Sequence, residues 1–121
     1  MDDEEQIRKM LARLLGRDHE VVAAASGGQA MALLEDDRSF DVVLCDLMMP
    51  DTTGMDLHAW LADRDPALAG RVVFMSGGAF TPRASDYLAG VNNPMVDKPF
   101  DAAGILGLVA GMVEAAQGRR G

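Results

Sequence analysis

The chain has a single cysteine in 121 residues, so Cys45 has no partner for an internal disulfide and cannot belong to a cysteine-rich zinc site. The only two histidines, His19 and His58, have no second ligand at metal spacing. No apolar run approaches the roughly 20 residues that span a bilayer. The start, Met1-Asp2-Asp3-Glu4-Glu5, has the wrong charge and no apolar stretch for a secretory signal. Nor is there a basic surplus: 11 Lys and Arg stand against 19 Asp and Glu, a net charge of -8. That balance repels phosphate backbones and anionic lipid, which argues against direct nucleic-acid or membrane contact. There is no internal repeat, low-complexity tract or linker. These absences describe one cytoplasmic domain, residues 1–121, with 117–121 expected as a flexible tail.

What the chain has is alternation. Ile7, Met10, Leu11, Leu14 and Leu15 make the stripe of an amphipathic helix that Gly16 stops. A short apolar run, 20–24, follows. Ser26 is placed to cap a second helix with Ala30, Met31, Leu33 and Leu34 on its apolar face. The run 41–45 ends at Asp46, and an unbroken apolar run suits a parallel strand covered on both faces. A turn-rich stretch, 50–54, leads to a helix marked by Met55, Leu57, Trp60 and Leu61. The run 71–75 ends at Ser76. Pro82 suits the first turn of the next helix, a brief strand spans 94–97, and a helix carries Ile105, Leu108, Val109, Met112 and Val113. Strands alternating with helices predict one α/β domain with a parallel sheet, whose ligands gather at the carboxyl ends of the strands.

Asp46, Ser76 and Lys98 end three successive runs, and Asp2-Asp3-Glu4 precedes the first helix. Packed carboxylates repel one another unless a cation neutralises them. Magnesium, a hard ion held by oxygen ligands, suits such a group. A lysine and a hydroxyl nearby could hold a phosphoryl oxygen while Asp46 attacks phosphorus as a carboxylate nucleophile.

With these residues together, the chain resembles the receiver domain of two-component response regulators over essentially its whole length. The resemblance rests on Asp2-Asp3-Glu4, the run from Val42 to Pro50 with Gly54, Val72 to Gly77, and Asp97-Lys98-Pro99-Phe100. Spacings of 43, 30 and 22 residues from Asp3 to Asp46 to Ser76 to Lys98 agree with it. It implies a flavodoxin-like, doubly wound parallel sheet of strand order 2-1-3-4-5. It also implies that Asp46 is the phosphoacceptor and that Asp3 binds magnesium directly, with Asp2 partly through water. Met48 would lend its backbone carbonyl to the metal. Ser76 would be the switch hydroxyl, Lys98 the partner of a phosphoryl oxygen, and Lys98-Pro99 a cis bond. The implied donor is a phosphohistidine on a histidine kinase or phosphotransfer domain. The implied cycle is phosphate uptake, a conformational switch and hydrolysis, self-catalysed rather than the work of a separate turnover enzyme.

Three departures set further expectations. Only Met1 stands before the acidic pair, where the family has a central strand. The alternatives are a chain that begins late within a longer protein, a strand donated by a neighbour, or remaining strands that close up. Met95 occupies a place where an aromatic is common, which favours a phosphorylation-independent interaction domain as the alternative function. Gly77-Gly78 follows Ser76, which suits a short-lived phosphoryl group. A phosphatase of the aspartyl-phosphate kind is opposed by Met48, which stands where such enzymes carry a second acid. The stretches around Ser76 and Lys98 look most like the receiver of a hybrid sensor histidine kinase. Homodimerisation is left open. His19 and His58 are expected at the surface, Cys45 buried, and Trp60 and Tyr87 in packing. Gly104, Gly107 and Gly111 are read first as a weak stretch of helix and second as a seat for another helix.

Overall fold

The computed structural model describes residues 1–17, 19–47, 53–77, 81–97 and 101–120. Six helices and three strands alternate among them: α1 (Glu5–Leu15), α2 (Gly27–Asp36), β1 (Val43–Asp46), α3 (Gly54–Arg64), α4 (Pro66–Ala69), β2 (Val72–Ser76), α5 (Pro82–Ala89), β3 (Met95–Asp97) and α6 (Ala102–Arg120). The strands form one parallel sheet in the order β1-β2-β3. β2 lies in the middle and every residue in it is buried, as expected of an unbroken apolar run with a layer on each side.

Alternation along β2 divides the core in two. Val72 and Phe74 pack with Leu47, Leu57, Leu61 and Leu68 beneath α2, α3 and α5. Met75 packs on the other face with Leu11, Leu15, Ile105 and Val109 of α1 and α6. This is the doubly wound arrangement that the sequence predicts.

Capping residues set the helix starts. Ser26 accepts from Gln29 N–H at the head of α2. Thr53 and Asp56 form a reciprocal capping box at the head of α3, two orphan amides satisfied at once. Asp65 caps the short α4, which the sequence pattern does not reveal because one turn carries no periodicity. Pro82 occupies the first turn of α5 behind its cap Thr81.

The 20–24 run is not a strand. It makes one backbone bond towards the sheet, from Asp2 N–H to Ala24 O at 3.1 Å. Its partner would be a strand between it and β1, and among the described residues Met1 bonds to β1 there. Met1 nitrogen donates to Leu44 O, and Asp46 N–H donates to Met1 O at 2.9 Å. The strands therefore do not close up. Beyond Met1 a groove of about 450 Å³ runs between Val21–Ala24 and Val42–Leu44, with Leu33 and Val109 in its walls.

α6 runs to Arg120, across the stretch 117–120 expected as a tail. Ala115 and Ala116, good helix formers, lead into it. An added Cβ at Gly107 or Gly111 meets nothing within 4 Å, and at Gly104 only Asp101 is near. No other backbone of this chain seats there among the described residues.

Candidate functional site

Asp46 ends β1 and is 4% exposed; Ser76 ends β2 and is 2% exposed. Register places Asp46 beside Met75, and Ser76 beside Asp97 at the end of β3. The carboxyl ends of three parallel strands thus present an acid, a hydroxyl and the residue before Lys98 along one edge. Lys98, the adjoining Lys98-Pro99 bond, Met48 and Gly78 lie outside the described residues.

Asp2 is buried, 1% exposed, at the head of α1. Its Oδ1 accepts from Glu4 N–H at 2.9 Å, and its carbonyl accepts from Arg8 Nη1 at 2.9 Å. These bonds fold the amino end back over β1. Carboxylate oxygens of Asp2, Glu4 and Asp46 then all lie within 4.8 Å of one another. Asp3, which the resemblance makes the direct ligand, is exposed and is not one of these three. Glu4, a member of the acidic group Asp2-Asp3-Glu4, joins the site although the resemblance gives it no role of its own.

An all-oxygen donor set, two of its members buried, fits a hard divalent cation. It does not fit zinc, which favours nitrogen and sulfur ligands.

Two neighbours shape the floor. Cys45 is fully buried, and burial pushes its thiol up to about 12, an inert group. Gly54 opens α3 so close to β1 that an added Cβ would lie 2.6 Å from Asp46 O. The glycine lets the helix start pass directly against the residue that carries the acid.

The fold is thus a doubly wound parallel sheet with buried acids and a hydroxyl at one edge. Comparison with known proteins agrees: residues 1–110 match the response regulator receiver domain, and the chain belongs to that family. It is 28% identical over 100 residues to the transcriptional regulatory protein ResD of Bacillus subtilis, covering 83% of this chain and 40% of that protein. It is 29% identical over 100 residues to SrrA of Staphylococcus aureus, with the same coverage. The chain thus spans 40% of the length of these curated relatives. Among solved structures, a CheY-like receiver domain protein from Methanospirillum hungatei superposes with a TM-score of 0.84 at 22% identity, covering 98% of this chain and 93% of that one. As a receiver domain, the chain is a module of two-component phosphoryl-transfer signalling.

Proposed function

We propose that Asp46 is the phosphoacceptor of this receiver and that the acidic group around it holds magnesium. One observation carries the reading: Asp46 is buried at a strand end with the Asp2 and Glu4 carboxylates within 4.8 Å, an all-oxygen set of the kind that hard divalent cations take.

In the cytoplasm, a histidine kinase or phosphotransfer domain presents a phosphohistidine. A carboxylate oxygen of Asp46 attacks phosphorus, a P–O bond forms, the P–N bond breaks, and the imidazole leaves with the electron pair and takes up a proton. Lys98 pairs with a phosphoryl oxygen, and the Ser76 hydroxyl donates to another once the group is in place. Asp2, Asp3 and Asp46, with the Met48 carbonyl and now Glu4, are the candidate oxygen donors. Bound magnesium supplies the positive charge that offsets the carboxylates and the incoming phosphoryl oxygens. Water later attacks phosphorus, the P–O bond to Asp46 breaks, and phosphate and a free carboxylate result. The transferred group adds about -1.5 to -2 charge, enough to bias a two-state element. Gly77, exposed after Ser76, suits ready access of water and a short phosphoryl lifetime.

The test is magnesium with beryllofluoride, a phosphoryl mimic, followed by amide NMR in the wild type and Asp46→Asn. Saturable shifts at Asp46, Ser76 and Lys98 are expected in the wild type and none in the variant. A folded wild type that shows no shift overturns the reading.

A further inference from the structure

A buried polar chain fastens the helix that follows Ser76. His58, expected at the surface, is instead 8% exposed, on the inner side of α3. Its Nδ1 lies 2.5 Å from the Tyr87 hydroxyl of α5. Its other partner is the Asn93 side chain, in the segment between α5 and β3. Asn93 Nδ2 donates to Ala69 O and Val72 O, each at 2.8 Å. With that nitrogen committed, Asn93 faces His58 through its oxygen. A proton on Nε2 lets the imidazole donate to the Asn93 oxygen while Nδ1 accepts from Tyr87 O–H.

The His58 ring also rests on Phe74 of β2, with centroids 5.5 Å apart, two residues before Ser76. Outside this chain, Arg83 of α5 pairs with Asp56 of α3 at 3.2 Å, an exposed bridge of small weight. Met95, where the resemblance expects an aromatic, is exposed and offers no ring on the β3 side. The contacts that tie the Ser76 strand to α5 are on the α3 side.

We propose that His58, Tyr87 and Asn93 form a latch that holds α5 against α3 in the resting state, and that His58 and Tyr87 are positioning residues for the phosphoryl switch. The proposal rests on the phosphoacceptor reading of Asp46. Ser76 moving toward a phosphoryl group shifts the end of β2, where Phe74 carries the His58 ring, and the latch opposes that movement. Removing the latch therefore favours the switched state, and ligands of that state bind tighter by the same factor.

The test is Tyr87→Phe, which deletes one oxygen and keeps the ring. Amide hydrogen exchange without ligand is expected to quicken by about five- to tenfold across 82–89 and to stay unchanged in α1 and β2. Beryllofluoride affinity in the presence of magnesium is expected to rise by a similar factor. Arg83→Ala, which breaks only the exposed bridge, is expected to change neither quantity. Unchanged exchange in α5, an equal rise in every element, or unchanged beryllofluoride affinity with a folded variant each overturn the latch. If the wild type itself fails to bind beryllofluoride, the phosphoacceptor reading fails. In that event the exchange comparison without ligand still decides whether the latch holds α5.

Discussion

An added Cβ at Gly54 would lie 2.6 Å from Asp46 O and 2.9 Å from Cys45 Sγ, distances that real side chains do not tolerate. Neither obstacle is the far end of a flexible side chain, so relief must come from the backbone at the strand end. Gly54→Ala is therefore expected to destabilise the fold by about 1–3 kcal/mol, the usual cost of overpacking a close-packed site. It should also weaken beryllofluoride binding, because the carbonyl that moves belongs to Asp46, the proposed phosphoacceptor. Urea unfolding with a parallel binding titration checks both; an unchanged midpoint and affinity would contradict the close approach. At this scale Asp46, Ser76 and Cys45 were legible in the sequence, since each ends or lies within an apolar run. Glu4 was legible only as a member of the acidic group, because which of those acids reaches Asp46 depends on the turn closed by Asp2. His58 was not, because burial of a single polar side chain leaves no periodic trace.

The junction of α3 with α5 carries a pH dependence. Burial pulls the His58 pKa below its ordinary 6.5, partly offset by the bond with Asn93. Tyr87, Phe74 and Asn93 face the ring, and Asp56 and Arg83 pair across the same two helices. The unfolded chain thus binds a proton near pH 6.5 that the folded chain refuses. Stability is full above that value and falls as pH drops from 6.5 toward the lower folded pKa. Asp56, held below the carboxylate range first by the Thr53 backbone N–H, titrates beneath this window. Urea midpoints measured from pH 7.5 down to about 5 are expected to decline in the wild type and to flatten over that interval in His58→Gln. Parallel slopes in the two proteins would contradict a buried, neutral His58. Helix existence was legible because amphipathic stripes and caps are local. The ends were less so: α4 is too short for a period, and the apolar stripe of α6 stops before the helix does.

For the molecule as a whole, the sheet has an edge shaped for a strand. Parallel pairing turns the backbone groups of alternate residues to opposite sides, so Val43 and Cys45 face β2 while Val42 and Leu44 face the groove. Met1 makes the last rung of a ladder there. Joining four or five β-branched residues to the amino side of Met1 is expected to continue that ladder into the groove. Side-chain burial and new hydrogen bonds outweigh the ordering cost, for a net gain on the order of 3 kcal/mol. Residues 20–24 should then become protected from amide exchange. A chain extended in this way with an unchanged urea midpoint would contradict the groove's role as a strand site.

The sequence by itself determined the family, the parallel α/β class, and the acid and hydroxyl at adjoining strand ends, since each follows from patterns local to a few residues. Tertiary structure alone decided that Glu4 rather than Asp3 joins Asp2 and Asp46, that His58 turns inward to Tyr87, and that 20–24 stays out of the sheet. These depend on partners far apart in the chain. A carboxylate is brought to a site by the turn beneath it, a histidine is buried by the helix opposite, and an apolar run becomes a strand only when a neighbouring backbone receives its hydrogen bonds.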